Sequence, residues 1–487
     1  MGSTKHHPAK EFIESKSLKK AARKERWMRT RLALIAIFSL SLLLHVLLAL
    51  VNREANDDHL TVIGFIQIEG YYPHFDDCWE GFQPKLYHAF CAWTGRLLDI
   101  RTLDSAYIAF QMINVIAGMM TLMILFLFLQ ELAIRDDVRI LSFAGIALNP
   151  KFIAINAQVT NDSFVILFGT LTIYSLWRFL QTRGMAVGIL MICATILACL
   201  SKVTGIVVFP GVLLVLLITS LARWSDVDER KAFLKPLIVL IILFLLIVPY
   251  FGQYYYNWKT TGHPFATPIA KSTPAKFFKY VPDPAYKNRL GVTTLLESWF
   301  TFRFIDLIRH PYITHGVAIE PRHRASLWTQ LYGHAYFAHF DQFPLSWQNR
   351  GRFIMNVGRT IFILALLHFF LMLIGGATVL RGTVRGLLMN GPAFLGQQRN
   401  WIMQLFLAIF IAMILGLTYS NRDFSAMKAI YIFPAMICFL QCFTEGSQWL
   451  VQRIEKRRPL LIGVYAWFVA LYALYTVDVT FLIAQLA

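Results

Sequence analysis

The chain has 487 residues, of which 57% are hydrophobic and only 15% are charged. With a mean hydropathy of +0.53, most of its length cannot form the surface of a soluble domain, and the sequence predicts an all-α polytopic membrane protein. The net charge of +18 would suit nucleic acid, but ten basic residues lie in positions 1–31. We interpret this segment as a cytoplasmic tail that touches anionic lipid headgroups, and we predict no nucleic-acid partner.

Eleven predominantly apolar runs are candidate transmembrane helices. Several are short or imperfect: the third carries Lys151 beside Pro150, and the eighth carries Arg359 near one end. The first has no small-residue cleavage pattern, so we expect a retained span and not a signal peptide. Lysine and arginine are enriched in the segments that follow the even-numbered spans, which places the amino terminus inside and the carboxyl terminus outside. The runs lie near 32–51, 107–129, 138–156, 163–180, 184–201, 203–222, 237–257, 354–380, 401–420, 429–444 and 460–480.

These spans divide the chain into four predicted parts. Residues 1–31 form the cytoplasmic basic tail, and residues 32–258 form a transmembrane catalytic module with a first outer loop at 52–106. A large extracytoplasmic loop follows at 259–353, and residues 354–487 form the C-terminal transmembrane helices.

The first outer loop begins with a pair of carboxylates, Asp57 and Asp58, six residues after the first span. The following stretch, HLTVIGFIQI, has no certain charge and suits a helix lying in the membrane interface, which would hold both carboxylates at headgroup depth. A solvated loop start is the alternative.

A second acidic cluster lies in the segment HFDDCWEGFQPKLYH, which contains Asp77, Glu80, Lys85 and Tyr87. An aromatic belt at the membrane interface explains the tyrosine and tryptophan side chains of this region. It does not explain the acids, which makes them candidates for a site.

Two further ionisable residues interrupt apolar runs, Asp162 in VTNDSF and Lys202 in CLSKVTG. Such residues are costly in a membrane unless they face protein, water or a charged ligand. Snorkelling to the headgroups is the alternative for Lys202. The predicted topology places both residues, the first outer loop and the turn SNRDFSAMK at 420–428 on the extracytoplasmic side.

Carboxylates and a lysine at the membrane boundary are the groups that sugar transfer from a lipid phosphate requires. A carboxylate can remove the proton of the acceptor hydroxyl, and an ammonium group can stabilise the negative charge on the departing phosphate. There are two alternatives: a secondary transporter or lipid flippase, and a ligase that uses a pyrophosphate lipid. Transporters commonly have internal repeats, and the two halves of this sequence show none.

The large outer loop carries six histidines, whose spacing fits no recognised metal-ligand motif. Its twelve basic residues and its aromatic residues suit either a surface for sugars or anionic headgroups, or a plain solvated loop with interface helices. The histidines are His263, His310, His315, His323, His334 and His339, and the aromatic residues are Trp299, Trp328, Tyr332, Tyr336 and Trp347.

Five motifs in order resemble the GT-C glycosyltransferases of the protein mannosyltransferase and aminoarabinose transferase type, which use polyprenyl-phosphate sugars. They are NDDH, QPKLYH, the NP and TNDSF pair, LSKVTGIVVFP and MKAIYIFPAM, between residues 32 and 440. The resemblance implies a GT-C fold with about 11 transmembrane helices and interfacial helices in the outer loops.

The resemblance also implies roles for individual residues. Asp57, Asp58 and Asp162 would be catalytic, with either Asp57 or Asp58 as the base of an inverting transfer. The family's PPL segment is Pro84-Lys85-Leu86 here, and its late Arg-Tyr is Ile430-Tyr431. The implied substrate-binding residues are Lys85, Lys202, Asp77, Glu80, Tyr87 and Lys428.

The expected partners are a polyprenyl-phosphate sugar donor, a glycan, lipid or protein acceptor, and the bilayer. No metal site is predicted, although outer carboxylates could bind a divalent cation as readily as act as bases. The lack of glycosylation sequons in the large loop favours a bacterial plasma membrane, with the active site outside.

Overall fold

The computed structural model describes the backbone of residues 8–54, 57–265, 295–312, 322–340, 345–347, 351–392, 394–395, 398–420 and 427–487, and side chains from residue 28 onward except 345 and 420. Within these ranges every regular element is a helix and there is no β-strand. The all-α polytopic prediction is confirmed over the described part of the chain.

The described part of the first half contains eleven α-helices. They are α1 (Pro8–Val51), α2 (His59–Gly64), α3 (Leu86–Leu97), α4 (Leu103–Glu131), α5 (Asp136–Ala147), α6 (Pro150–Asn156), α7 (Asp162–Thr182), α8 (Met185–Ser201), α9 (Val208–Ala222), α10 (Val227–Phe251) and α11 (Tyr254–Thr261). A π-helical turn at Phe65–Glu69 and 3₁₀ helices at Trp79–Phe82 and Val203–Val207 complete this half.

The described part of the second half contains three short helices of the large loop and four long helices. They are α12 (Leu295–Phe300), α13 (Phe304–Arg309), α14 (Leu327–Tyr336), α15 (Arg352–Asn390), α16 (Trp401–Ser420), α17 (Met436–Ile454) and α18 (Arg458–Leu486). Three 3₁₀ helices lie at Arg322–Ala325, Leu345–Trp347 and Ala429–Ala435. Because Ala429–Ala435 leads directly into α17, the two together form one long apolar segment.

Among the described residues, nine helical segments are long and apolar enough to cross a membrane. The bent pair α5 and α6 makes a tenth, and the 17-residue α8 accounts for the remaining predicted run. The pair bends by 48° because Pro150 has no backbone N–H and disfavours helical geometry at Asn149. The Asn149 side chain instead accepts a hydrogen bond from the Phe152 N–H at 2.9 Å, which starts α6.

One end of the bundle collects the segments that were predicted to lie outside. There α1, α6, α8 and α10 end, and α4, α7 and the segments beginning at Val203 and Ala429 start. The Asn52 amide donates to the Ala157 carbonyl at 3.0 Å, which ties the first outer loop to the loop before α7. The predicted interface helix is α2, whose apolar residues Val62 and Ile63 are buried against the bundle.

Candidate functional site

Asp162 and Lys202 form a buried ion pair at this end of the bundle. The Lys202 Nζ lies 2.6 Å from Asp162 Oδ1, and Thr160 Oγ1 donates to the other carboxylate oxygen at 2.9 Å. Asp162 is the first residue of α7, where the helix dipole favours negative charge. Lys202 lies in extended backbone between α8 and the 3₁₀ helix Val203–Val207. The two positions that the sequence singled out separately are therefore direct partners.

Close backbone contacts fix the segments around this pair. A Cβ atom on Gly205 would lie 2.0 Å from the Ala198 carbonyl oxygen, so only glycine lets the chain turn back against α8 here. A Cβ on Gly169 would lie 2.7 Å from Pro434 Cβ, so α7 and the 3₁₀ helix Ala429–Ala435 touch closely. This approach brings the ring of Tyr431 to 5.8 Å from Lys202 Nζ, within cation–π range.

The first outer loop folds over the ion pair. Asp58 Oδ2 accepts the Trp79 N–H at 3.1 Å, which joins the two acidic clusters of the loop. Gln83 Oε1 accepts the Val203 N–H at 3.1 Å, one residue from Lys202. The structure thus brings Asp57, Asp58 and Glu80 to the same region as Asp162 and Lys202.

Asp57 and Asp58 differ in their surroundings. Asp57 is exposed and has a φ of 53°, a left-handed conformation that is uncommon for residues other than glycine. Its charge acts on both Glu80 and Lys202. Asp58 is half-buried, and one of its oxygens is already used by the Trp79 N–H. Of the two residues, Asp57 is the more exposed.

Glu80 is a buried carboxyl group with an unusual titration. Its Oε2 atom has no hydrogen-bond partner within the described residues. Burial raises the pKa of Glu80 to about 8, and the Asp57 carboxylate contributes in the same direction, while Lys202 and Lys85 oppose it. A group with this pKa exchanges its proton near neutral pH, which suits acid–base chemistry.

Lys85 is directed at the backbone of its own loop. Its Nζ donates to the carbonyl oxygens of Gly81 at 2.6 Å and Gln83 at 2.8 Å. Burial lowers the pKa of Lys85 to about 7, and the opposing effects of Cys78, Glu80 and Asp77 are smaller. In this structure the ammonium group is the hydrogen-bond donor for carbonyl oxygens at the end of the 3₁₀ helix Trp79–Phe82.

Asp77 and Tyr87 lie at the borders of the site. Asp77 Oδ2 accepts the His74 N–H at 2.7 Å and the Tyr71 hydroxyl. Tyr87 is fully buried, and its hydroxyl accepts from the Asn114 amide at 3.2 Å. Through these contacts both residues shape the first outer loop.

The structure adds to the site two histidines that the sequence analysis did not assign to it. His59 Nδ1 lies 2.9 Å from His88 Nε2, and His59 Nε2 lies 3.5 Å from Thr160 Oγ1. Burial, followed by the charge of Lys202, lowers the pKa of His59 to about 3, so the imidazole is neutral. The position of His59 directly after Asp58 was the available signal, but the pairing with His88 depends on the folded loop.

The aromatic residues of the large loop contact the bundle. Trp299 donates to Thr418 at 3.0 Å, Trp328 donates to the Trp299 carbonyl at 2.6 Å, and Tyr332 donates to the Phe362 carbonyl at 2.6 Å. Tyr336 lies 2.8 Å from His368, and Trp347 is fully buried. These contacts account for the aromatic residues as packing groups between the loop and the helices.

No group of three histidine, cysteine or acidic residues suited to a metal ion occurs in the part of the chain that the structure describes. Of the six loop histidines, His315 lies outside the described residues. Within the turn 420–428, residues 421–426 also lie outside them. Lys428 is described, and it precedes the 3₁₀ helix Ala429–Ala435.

The family model for dolichyl-phosphate-mannose-protein mannosyltransferase matches residues 97–250. The predicted resemblance is therefore confirmed over roughly a third of the chain, a stretch that includes Asp162 and Lys202 but not Asp57, Asp58 or Glu80. No curated protein matches the sequence significantly.

Two solved structures are similar at low sequence identity. One is the archaeal oligosaccharyltransferase AglB from Archaeoglobus fulgidus, in complex with an inhibitory peptide and a dolichol-phosphate, with 12% identity and a TM-score of 0.45 over 93% of this chain and 55% of that chain. This chain thus spans little more than half the length of AglB. The other is ArnT from Cupriavidus metallidurans bound to undecaprenyl phosphate, with 11% identity and a TM-score of 0.35 over 86% of this chain and 79% of that chain.

Proposed function

We propose that this protein is an integral-membrane glycosyltransferase that moves a sugar from a polyprenyl-phosphate donor to an extracytoplasmic acceptor. The observation that carries the proposal is the convergence of the first outer loop on the buried Asp162–Lys202 pair, at the end of the bundle that was predicted to lie outside. The family match over residues 97–250 supports the same class of reaction. A bacterial plasma membrane with a cytoplasmic amino terminus belongs to this proposal.

Asp57 is the general base of the proposed transfer. Its carboxylate is exposed, whereas one oxygen of Asp58 is held by the Trp79 N–H. Strained backbone such as the φ of 53° at Asp57 costs about 1–3 kcal/mol and recurs at functional sites. In an inverting reaction, Asp57 takes the proton of the acceptor hydroxyl while that oxygen attacks the anomeric carbon. The bond between this carbon and the phosphate oxygen breaks, and its electron pair stays on the polyprenyl phosphate.

Lys202 stabilises the phosphate as it gains charge, and Asp162 fixes the direction of the ammonium group. The 2.6 Å contact and the hydrogen bond from Thr160 hold Asp162 in place. Preorganised charge of this kind lowers the barrier because it needs no rearrangement during the reaction. Glu80, protonated over much of the neutral range, is placed to donate a hydrogen bond to a substrate oxygen.

The test supplies membranes that contain the full chain with a panel of polyprenyl-phosphate monosaccharides labelled in the sugar. Asp57→Asn should abolish the labelled product, because the amide cannot accept the proton but tolerates the same backbone. Asp99→Asn is the matched control, since Asp99 is an exposed aspartate of the same loop with a φ of 49°. Equal product from both variants would remove Asp57 as the base.

The same preparation separates transfer from transport. A labelled donor that crosses the bilayer of sealed vesicles without forming a covalent product would favour a flippase. Product formation that requires a pyrophosphate lipid in place of the monophosphate would favour a ligase.

A further inference from the structure

His59 is a buried imidazole directly after the two aspartates of the first outer loop. Only 1% of this residue is exposed, and it is the first residue of α2. Two peptide units separate it from Asp57. Because consecutive Cα atoms are about 3.8 Å apart, the Cα atoms of Asp57 and His59 are at most about 7.6 Å apart. Contacts that fix the His59 ring therefore also limit where the Asp57 carboxylate can lie.

Two different segments of the chain hold the His59 ring. On one side, His88 Nε2 of α3 lies 2.9 Å from His59 Nδ1, and the two rings stack with centroids 5.2 Å apart. The Tyr87 ring meets the imidazole edge-on at 6.3 Å. On the other side, His59 Nε2 lies 3.5 Å from Thr160 Oγ1. The imidazole thus joins α3 to the loop that precedes α7.

The hydrogen bonds of Thr160 determine which nitrogen of His59 carries the proton. The Thr160 hydroxyl has a single proton and donates it to Asp162 Oδ2 at 2.9 Å, so its oxygen must accept from His59. His59 therefore carries its proton on Nε2, and its Nδ1 accepts the N–H of His88. One proton is enough for this arrangement. Burial, followed by the charge of Lys202, lowers the pKa of His59 to about 3, which keeps the ring neutral.

The contacts of His59 continue into the buried ion pair. His59 donates to Thr160, Thr160 donates to Asp162, and Asp162 Oδ1 lies 2.6 Å from Lys202 Nζ. The charges of Lys202, Asp162 and Lys85 all act on the His59 ring. A short path of buried side chains therefore connects the turn that bears Asp57 with the ammonium group of Lys202.

The loop that accepts this hydrogen bond is itself fixed to the bundle. The buried Asn114 amide of α4 donates to the carbonyl oxygens of Gln158 at 2.6 Å and Thr160 at 2.8 Å. It also donates to the Tyr87 hydroxyl at 3.2 Å. The loop before α7 and the start of α3 are thus tied to the same transmembrane helix, which gives His59 a rigid support on both sides.

We propose that His59 is a positioning residue that holds the Asp57–Asp58 turn in a fixed place relative to the Asp162–Lys202 pair. This inference rests on the proposed function, in which Asp57 takes the proton of the acceptor while Lys202 stabilises the departing phosphate. Both groups act on one reaction centre, so their separation must be fixed. A misplacement of about 1 Å can cost roughly a hundredfold in rate. The neutral ring itself exchanges no proton with the substrate.

The kinetic test compares His59→Met with His59→Gln in the purified full chain. The two side chains have similar length and flexibility, but only the glutamine amide can donate to Thr160. With a sugar donor that the panel has identified, His59→Met should lower kcat by roughly a hundredfold and leave KM for the donor unchanged. His59→Gln should recover most of this loss. The control is His45→Met, which replaces another fully buried histidine, in α1, and should keep kcat.

A second readout needs no sugar transfer, because Glu80 reports where Asp57 lies. After burial, the Asp57 charge is the largest cause that raises the pKa of Glu80; Asp162 adds to it, and Lys202 and Lys85 oppose it. His59→Met should release the turn, so the melting temperature should depend less steeply on pH between pH 5 and 8. His59→Gln should keep the dependence of the unsubstituted protein. Since His59 is neutral in this range, neither variant removes a charge.

The outcomes separate this proposal from the proposed function. Equal losses of kcat in His59→Met and His59→Gln would show a packing role alone and overturn the proposal, as would an undiminished pH dependence in His59→Met. Absence of transfer by the unsubstituted protein, together with a weakened pH dependence in His59→Met alone, would contradict the proposed function and support the positioning of Asp57. Should His59→Met not fold, Thr160→Val takes its place, because it removes the same contact from the other side.

Discussion

Glu80 offers a test of the electrostatics of the site through protein stability. Its carboxyl group has a pKa of about 8 in the folded protein against 4.5 for the ordinary side chain. At pH values between 4.5 and about 8, the folded state therefore keeps a proton on Glu80 that the unfolded chain releases. The free energy of unfolding falls as the pH rises through this window. Below pH 4.5 both states are protonated and the penalty vanishes.

The size of the effect follows from the same two values. At pH 7 the difference of 2.5 pH units from 4.5 corresponds to about 3 kcal/mol. Glu80→Gln keeps the shape of the side chain but cannot ionise, so it should raise the stability by up to this amount at pH 7. The gain should shrink toward pH 5, where the unfolded chain also begins to bind the proton.

The assay is thermal unfolding of the purified protein in detergent at pH 5, 6, 7 and 8. The melting temperatures of Glu80→Gln and the unsubstituted protein should separate progressively as the pH rises. Glu69→Gln is the control, because Glu69 is exposed in the same loop and should leave the curve unchanged. Parallel curves for Glu80→Gln and the unsubstituted protein at every pH would refute the assignment of a raised pKa to Glu80.

Three further predictions concern the Asp162–Lys202 pair and the residues around it. Lys202→Met should destabilise the protein by about 3–5 kcal/mol, because Asp162 would remain as an uncompensated buried charge. In chemical denaturation, the double variant of Lys202→Met and Asp162→Asn should lose less stability than Lys202→Met alone. Gly205→Ala should lower the melting temperature strongly, because its Cβ would lie 2.0 Å from a carbonyl oxygen. Gly463→Ala, whose Cβ would meet no atom within 4 Å, should be neutral or slightly stabilising. Equal melting temperatures for the two variants would contradict the close approach at Gly205. Asp57→Asn should lower the pKa of Glu80, because it removes a neighbouring negative charge, and the pH dependence of melting should become weaker; an unchanged dependence would place Asp57 too far from Glu80 to act on it.

The sequence predicted the helical class and the position of every long apolar run, because each run is a local property of composition and length. It also predicted that Asp162 and Lys202 lie on the same side of the membrane, because successive spans cross the bilayer in alternating directions. The break at Asn149-Pro150 appeared only as an imperfect span, and the structure shows a bend of 48° there.

Contacts between distant parts of the chain could not be predicted in this way. The direct pairing of Lys202 with Asp162 depends on how α7 and α8 pack, and it leaves the ammonium group partly neutralised. The binding of Lys85 to the carbonyls of Gly81 and Gln83 depends on a 3₁₀ turn that has no hydrophobic period. His334 was one of six histidines without a motif, and its complete burial depends on how α14 packs in the folded protein.

The most direct test of the central claim measures turnover and donor binding together on the purified protein. Once the panel has identified a sugar donor that the protein uses, single-turnover release of polyprenyl phosphate is compared in the unsubstituted protein, Asp57→Asn and Asp99→Asn. The account predicts that Asp57→Asn binds the donor with unchanged affinity and releases no polyprenyl phosphate when acceptor is added, while Asp99→Asn behaves normally. Release by Asp57→Asn at the rate of the unsubstituted protein would contradict the claim that this carboxylate activates the acceptor.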